Sequence, residues 1–126
     1  MLGPQMLPKI LIVEDDPQLR ILINFIFDMH PEVETYLAAN EFEAMSLMDK
    51  ISMDAVITDM QLNSHQGGIS VLQMAVDYDI PVAVMTADVS IPDEEYLAMG
   101  ATWVIRKPFD TSILPSICLR LASLND

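Results

Sequence analysis

Cysteine is almost absent from this chain, and basic residues are few. The single cysteine, Cys118, cannot form a disulfide within the chain, which favours a reducing cytoplasm as its location. Only 6 Lys and Arg residues stand against 19 Asp and Glu residues, giving a formal net charge of -13. So acidic a domain is not expected to bind nucleic acid through a basic face. No apolar run reaches the roughly 20 residues that a membrane-spanning helix needs.

The patterns of several common enzyme classes are also missing. The sequence has no Ser, His and Asp set of a hydrolase and no Cys and His spacing of a zinc site. It has no glycine-rich phosphate loop either, since Gly67 and Gly68 form an isolated pair. We interpret His30 as a structural residue at a helix end and His65 as an exposed loop residue.

The length of the chain is that of one domain. With 126 residues, of which 52% are apolar, it can fill one core. The first segment, "MLGPQMLPK", shows no signal-peptide pattern. We expect residues 1–8 to form a short N-terminal arm and residues 9–126 to form the domain.

Short apolar runs alternate along the chain with amphipathic segments of helix length. The runs cover residues 9–13, 35–39, 55–58, 81–86 and 102–105, and polar or turn residues bound each of them. The helix-length segments cover residues 17–29, 41–50, 69–76, 92–99 and 112–123. Five strands alternating with five helices predict an α/β fold, in which a parallel sheet is covered on both faces.

Start and stop signals support these helices. Asp16 before Pro17 is typical of an N-cap followed by proline at the first helical position. Asn40 with Glu43 is typical of a capping box. Gly100 lies where the fourth helix should end before a strand.

Charged and polar residues follow four of the predicted strands. In chain order these residues are Glu14, Asp15, Asp16, Asp59, Thr86 and Lys107. Because ligands of open α/β sheets bind beyond the carboxyl ends of the strands, we expect these side chains to share one site. Neighbouring carboxylates cannot all stay ionised without a cation, and oxygen ligands suit Mg²⁺.

These residue types together predict phosphoryl chemistry. A metal ion with Lys107 would form a cradle for a phosphoryl group. Asp59 would then serve as a nucleophile and form an aspartyl phosphate. The hydroxyl of Thr86 would donate a hydrogen bond to a phosphoryl oxygen.

Four segments of the sequence resemble the bacterial response-regulator receiver domain of two-component signalling. The segments are "KILIVEDDPQLR", "DAVITDMQL", "PVAVMTA" and "VIRKPF", in the order and at the spacing of that family. The resemblance covers residues 9 to about 124. It implies a flavodoxin-like doubly wound sheet with strand order 2-1-3-4-5.

The resemblance also implies a metal site for Mg²⁺. Asp15 would bind the ion directly and Glu14 would bind it through water. Asp59 and the backbone carbonyl of Gln61 would complete the set of protein ligands. Asp16, directly before Pro17, would cap the first helix and not meet the ion.

Further roles follow from the same resemblance. Asp59 corresponds to the phosphoacceptor and Thr86 to the hydroxyl that moves toward the phosphoryl group. Lys107 corresponds to the catalytic lysine, and the peptide bond to Pro108 is expected to be cis. The domain is then a self-phosphorylating switch and not a classical enzyme.

Two positions depart from the family pattern. Asn63 stands where the family usually has proline, which makes the loop after Asp59 less rigid. Val104 stands where the family usually has an aromatic residue that moves together with the hydroxyl. Trp103 is next to it, but neighbouring residues of a strand point to opposite faces. Gln61 and Asp88 occupy the two variable positions that tune phosphoryl lifetime in the family.

The first helix is the candidate surface for a partner. At about 3.6 residues per turn one stripe is expected to be buried; it consists of Leu19, Leu22, Ile23 and Ile26. Ile21, Phe25 and Phe27 lie off this stripe, and exposed apolar residues in a patch indicate a partner surface. In the family this helix docks the histidine-bearing partner, here a sensor histidine kinase or a histidine phosphotransfer protein. The alternative is that the helix is packed deeply on all sides.

The function predicted from the sequence is a receiver that accepts a phosphoryl group on Asp59 and changes conformation, with a phosphorylation-dependent homodimer as a further option. A degenerate receiver that only binds other proteins is one alternative. A haloacid-dehalogenase-type phosphatase is another, but its nucleophile would stand in a D-x-D after the first strand, and "VEDDP" lacks that spacing.

Overall fold

The computed structural model describes residues 7–62 and 66–124. Most of the expected N-terminal arm, Asn63 and His65 lie outside the described residues, so the expectations about them stay predictions. Within the described ranges, no helix has the length and apolar character that crossing a membrane requires.

Strands and helices alternate in the predicted order. The strands are β1 (Lys9–Val13), β2 (Glu34–Ala38), β3 (Ala55–Asp59), β4 (Val82–Thr86) and β5 (Trp103–Arg106). The helices are α1 (Pro17–Asp28), α2 (Glu41–Lys50), α3 (Gly67–Asp77), α4 (Asp93–Ala98) and α5 (Leu114–Ser123). The segment predicted to begin α5 at residue 112 is instead a 3₁₀ turn, Thr111–Ile113. The bounds of β1 and α2 agree with the prediction, and those of the other elements shift by at most two residues at either end.

The five strands form one parallel sheet in the order β2-β1-β3-β4-β5. This arrangement confirms the predicted doubly wound fold. The register pairs Asp59 of β3 with Met85 of β4, and Thr86 of β4 with Arg106 of β5. Because the strands run in the same direction, the residues that follow β1, β3, β4 and β5 meet at one edge of the sheet.

Two apolar layers cover the faces of the sheet. Alternate residues of a strand point to opposite faces. Leu11 and Val13 therefore pack with α2, α3 and α4, whereas Ile10 and Ile12 pack with α1 and α5. Cys118 is fully buried in the second layer, and burial raises the pKa of its thiol. The interpretation of Cys118 as a core residue is confirmed.

Helix α1 buries a different stripe from the one predicted. Ile23, Ile26 and Phe27 are buried, whereas Leu22 is 45% exposed. The prediction was therefore wrong for Leu22 and for Phe27. Together with Leu19, which packs on the same layer, the buried residues follow the i, i+4, i+7, i+8 pattern of one helix face. Leu22 lies outside that face, which packs into the apolar layer shared with the sheet and α5.

Gly68 allows α3 to pack directly against the end of β3. A Cβ atom at this position would lie 2.5 Å from the Met60 Cα and 2.7 Å from the Asp59 carbonyl oxygen. Only glycine tolerates backbone at this distance. The glycine pair, isolated in the sequence, lies at the start of α3, which begins at Gly67, two residues before the predicted start at 69.

The expected helix caps have the geometry of caps. The Asp16 side chain accepts a hydrogen bond from the Gln18 N–H at 2.9 Å. Asn40 Oδ1 accepts from the Glu43 N–H at 2.9 Å, and Glu43 Oε1 accepts from the Ala39 N–H at 2.7 Å. After α4, Gly100 adopts a φ of 107°, a conformation that favours glycine.

Replacing Asp16 by alanine is expected to lower the free energy of unfolding by about 1 kcal/mol, because the N–H groups at the start of α1 lose their acceptor. Urea denaturation measures this change. Asp16→Asn is the matched control, because asparagine is an equally good cap, and it should retain most of the stability. An equal loss in both variants would show that the negative charge, and not the cap, is what matters.

Candidate functional site

The carboxyl edge of the sheet holds most of the polar residues expected there. Glu14, Asp59 and Thr86 follow or end β1, β3 and β4 and are buried, with 1%, 2% and 0% of their surfaces exposed. Asp15 and Lys107 are partly exposed. A ligand can therefore reach a buried set of carboxylates from the solvent side.

Three carboxylates and one ammonium group converge at this edge. Carboxylate oxygens of Glu14, Asp15 and Asp59 all lie within 4.8 Å of one another. The Lys107 Nζ is 2.8 Å from Asp59 Oδ2 and 3.3 Å from Glu14 Oε1. Asp16 is not one of these three carboxylates, since its side chain turns back to the start of α1. The "EDD" segment is thus divided between a charged cluster and a helix cap.

The cluster carries more negative charge than its single cation balances. Burial, together with the hydrogen bond and the charge of Asp59, raises the pKa of Glu14 to about 8. Burial lowers the pKa of Lys107, but the hydrogen bond to Asp59 and the attraction of Asp59 and Glu14 outweigh it, so the net shift is upward. At neutral pH the metal-free chain therefore keeps a proton on Glu14 and a charge on Lys107.

The chemistry of this donor set fits a hard divalent cation. All the converging ligand atoms are carboxylate oxygens, which Mg²⁺ prefers. The retained proton on Glu14 is the response of a buried acid to excess negative charge, and a cation bound here would favour its release. The residues of the acidic cluster are therefore suited to holding Mg²⁺.

Neighbouring groups hold the cluster in position. The Gln61 N–H donates to Asp59 Oδ1 at 2.9 Å, and Arg20 Nη1 donates to the Glu14 carbonyl oxygen at 2.8 Å. Gln61 thus lies next to Asp59, while the role of its carbonyl as a metal ligand stays a prediction. Arg20 was missed from the sequence. The available signal was a cation in the first turn of α1, where the helix dipole does not favour one.

Thr86 is the centre of a second group of hydrogen bonds. Its Oγ1 lies 3.0 Å from Gln61 Nε2, 3.0 Å from the Asp88 N and 3.1 Å from the Tyr96 Oη. Gln61 Oε1 accepts from the Ala87 N–H at 3.0 Å. Tyr96 was missed from the sequence, because nothing in the pattern of α4 indicates that its ring reaches β4.

Arg106 holds the loop between β4 and α4. Its Nε donates to Asp93 Oδ1 at 2.8 Å, and its two terminal nitrogens donate to the carbonyl oxygens of Asp88 and Ile91 at 2.8 and 2.6 Å. Its guanidinium lies 5.9 Å from the centre of the Tyr96 ring. Arg106 therefore ties the end of β5, this loop and α4 together.

The two neighbours on β5 point to opposite faces, as predicted. Val104 packs against the same apolar layer as Tyr96, whereas Trp103 packs against the layer of α1 and α5. Trp103 therefore cannot replace the aromatic residue that Val104 lacks. The Lys107–Pro108 peptide bond is cis, as expected.

The fold and the carboxylate cluster define a doubly wound α/β domain with an acidic site at the carboxyl edge of its parallel sheet. Comparison with known families identifies the class of domain. The family model described as the response regulator receiver domain matches residues 10–118. The chain therefore belongs to the receiver-domain family of two-component signalling. The match confirms the resemblance and removes the support for a haloacid-dehalogenase-type phosphatase.

Two curated relatives are similar to this chain in sequence. Sporulation initiation phosphotransferase F of Bacillus subtilis (strain 168) is 35% identical over 81% of this chain and 83% of its own length. The heme response regulator HssR of Staphylococcus aureus (strain JH9) is 27% identical over 82% of this chain. The match covers only 46% of HssR, so the chain is similar to about half of that regulator.

Solved structures show the same fold. The Francisella response regulator 1452 receiver domain has a TM-score of 0.81 at 24% identity, covering 94% of this chain and 99% of that one. The Ssk1 receiver domain, in complex with the Saccharomyces cerevisiae phosphotransfer protein Ypd1, has a TM-score of 0.80 at 18% identity, covering 94% and 91%. The receiver domain of sensor kinase PA1611 from Pseudomonas aeruginosa PAO1, with magnesium in its active-site cleft, scores 0.76 at 24% identity, covering 94% and 99%.

The raised pKa of Glu14 predicts a specific dependence of stability on pH. Its pKa is about 8 in the folded chain against 4.5 as the reference value, so the folded state holds the extra proton between these pH values. The contribution of Glu14 to the free energy of unfolding is therefore fully present below about pH 4.5 and is lost as the pH rises to about 8. The free energy of unfolding should fall over this range by at most about 1.4 kcal/mol per pH unit.

Urea denaturation in EDTA, at intervals from pH 5 to pH 8, measures this contribution as the difference between the native chain and Glu14→Gln. The native chain should lose stability relative to the variant as the pH rises, because glutamine does not titrate. Parallel profiles for the two proteins would contradict the raised pKa.

Proposed function

We propose that this domain accepts a phosphoryl group on Asp59 from a phosphohistidine partner and changes conformation in response. The observation that carries the proposal is the contact of Lys107 Nζ with Asp59 Oδ2 at 2.8 Å, beside the carboxylates of Glu14 and Asp15. Membership of the receiver-domain family supports it. Since the acceptor is part of the chain itself, the domain is a signalling switch more than an enzyme.

Asp59, Lys107 and Gln61 have different roles in the proposed phosphoryl transfer. An Asp59 carboxylate oxygen attacks phosphorus, the bond from phosphorus to the histidine nitrogen breaks, and that nitrogen keeps the electron pair. Lys107 offsets the negative charge of the transferring group, and the Gln61 N–H orients the Asp59 carboxylate. The product is an aspartyl phosphate with Lys107 beside it.

We assign Mg²⁺ as the cofactor. Asp15, Asp59 and the Gln61 carbonyl would hold it directly, and Glu14 would hold it through water. When bound, the ion supplies positive charge that stabilises the phosphoryl oxygens. The three converging carboxylates support this assignment, as does the magnesium ion in the structurally similar PA1611 receiver.

An exposed apolar surface on α1 is the proposed docking site for the phosphohistidine partner. Ile21 is 71% exposed and Phe25 is 63% exposed. Beside the end of β5, a cavity of about 360 Å³ extends from Leu19 of α1 to Pro108 and Phe109 and includes Lys107 in its lining. An apolar helix of a kinase or phosphotransfer protein would cover this surface and bring its histidine to the site. The complex of Ypd1 with the Ssk1 receiver supports a partner of this class.

Location and assembly complete the proposal. We place the domain in the cytoplasm, in keeping with its single cysteine and its family. A homodimer formed on phosphorylation would use the β5 side of the molecule, where Leu97 and Leu119 are exposed on α4 and α5. Nucleic-acid binding through this domain is not proposed, in view of its charge of -13.

Incubation with acetyl phosphate and Mg²⁺ is expected to add one phosphoryl group to the native chain, detected by intact mass. Asp59→Asn should abolish the adduct, because the amide is a poor nucleophile. Asp77→Asn, at an exposed position on α3, is the control and should be phosphorylated like the native chain. Asp15→Ala should abolish Mg²⁺-dependent phosphorylation, whereas Asp16→Ala should leave it intact.

An undiminished adduct on Asp59→Asn would contradict the assignment of Asp59 as the phosphoacceptor. A native chain that takes up no phosphoryl group would favour the alternative of a receiver that only binds proteins. Loss of phosphorylation in Asp16→Ala but not in Asp15→Ala would reverse the roles given to these two acids.

Phe25→Ser is expected to slow phosphoryl transfer from a phosphorylated histidine phosphotransfer protein by about tenfold, because it removes an aromatic anchor from the interface. Its rate with acetyl phosphate should not change. Phe42→Ser is the matched control, since Phe42 is 74% exposed but lies on α2. Equal effects of the two substitutions would argue against docking on α1.

A further inference from the structure

Tyr96 connects helix α4 to the hydroxyl of Thr86. Within α4 it is the one buried residue, with 1% of its surface exposed. Its Oη lies 3.1 Å from Thr86 Oγ1, and either of these atoms can be the donor by distance alone. Which of them donates decides whether Thr86 has a proton free for a group on Asp59.

The other partners of Thr86 determine the direction of this hydrogen bond. Gln61 Oε1 accepts from the Ala87 N–H, which can only donate, so Gln61 Nε2 must be the atom that donates to Thr86. The Asp88 N–H donates to the same Oγ1 at 3.0 Å. A hydroxyl oxygen has two lone pairs, and both are then used. Thr86 therefore donates its proton to Tyr96.

The same proton is the one that a phosphoryl oxygen on Asp59 would need. A phosphoryl oxygen only accepts hydrogen bonds, so Thr86 must turn its O–H away from Tyr96 to reach it. The buried Tyr96 hydroxyl would then lose its donor. Since a buried polar group without a partner is unfavourable, the loss favours a shift of the ring and of α4.

Arg106 extends this connection beyond the ring. It lies over Tyr96 and also binds Asp93 at the start of α4 and two carbonyl oxygens of the preceding loop. A movement of the Tyr96 ring is therefore transmitted to this loop and helix together. On β5, Val104 faces the same layer and has no hydroxyl to form such a bond.

We propose that Tyr96 is a positioning residue that holds the Thr86 proton away from Asp59 before phosphorylation and transmits its release to α4. The proposal rests on the proposed function, because it assumes that Asp59 receives a phosphoryl group. In this chain the relay from the site to the surface thus runs through a tyrosine of α4, in place of an aromatic residue of β5.

Beryllium fluoride with Mg²⁺, a mimic of the phosphoryl group, tests the proposal by titration in ¹H–¹⁵N NMR spectra. Tyr96→Phe keeps the ring but removes the competing acceptor, so it should bind the mimic about threefold to tenfold more tightly than the native chain. In Tyr96→Phe, the changes in the amide chemical shifts of residues 93–98 on binding should be less than half of those in the native chain. The changes at Thr86 and Ala87 should persist. Tyr78→Phe is the matched control, because the Tyr78 hydroxyl donates to Asp49 away from the site. This variant should behave like the native chain.

A double substitution shows whether Tyr96 acts through Thr86. In a Thr86→Ala background, Tyr96→Phe should no longer change the affinity for the mimic. A second measurement uses the native chain, so it tests the role of Tyr96 even if Tyr96→Phe does not fold. With tyrosine labelled at ¹³Cζ, the Tyr96 signal should move on addition of the mimic, and those of Tyr36 and Tyr78 should not.

Unchanged affinity in Tyr96→Phe, undiminished shifts in residues 93–98, or a Tyr96 ¹³Cζ signal that does not move would each overturn this proposal while leaving phosphorylation of Asp59 intact. A folded native chain that does not bind the mimic at Asp59 would instead overturn the proposed function, and the role of Tyr96 with it.

Discussion

The contact of the Lys107 ammonium with the Asp59 carboxylate is the interaction on which the site depends. Both groups stand at strand ends, and a parallel sheet brings them to 2.8 Å although 48 positions separate them in the chain. Asp59 is almost fully buried, and an isolated buried carboxylate would be strongly unfavourable. Lys107 makes its burial tolerable, and the cis bond to Pro108 directly follows this lysine.

The pair does not neutralise the whole edge, and the remaining charge gives the site its chemistry. Glu14 is as buried as Asp59 and shares the same ammonium group, so its pKa rises to about 8 in the metal-free chain. A buried acid that keeps its proton at neutral pH shows that the positive charge at this edge does not balance all the carboxylates. The excess of carboxylates thus lowers the stability of the fold as the pH rises, and the proposed Mg²⁺ would offset their charge.

The proposed response of the domain involves contacts on the other side of Asp59. Gln61 contacts both Asp59 and Thr86, and Thr86 contacts Tyr96 of α4. The charged cluster and α4 are therefore joined through the exposed Gln61 and the buried Thr86 and Tyr96. Under the proposal for Tyr96, a phosphoryl group on Asp59 would favour a second arrangement of this network, in which Thr86 no longer donates to Tyr96.

Local features of the sequence were sufficient to predict the fold class and most of the residues at the carboxyl edge of the sheet. Alternating apolar runs and helix signals predicted the fold, and polar residues at strand ends predicted the members of the edge cluster. Tertiary packing decided the rest. The face that α1 buries depends on how α5 and the sheet meet it, so Leu22 and Phe27 were misplaced. The partners of Glu14 and Thr86, namely Arg20 and Tyr96, come from helices whose orientation no local pattern specifies, because side-chain contacts between elements arise only when the elements pack.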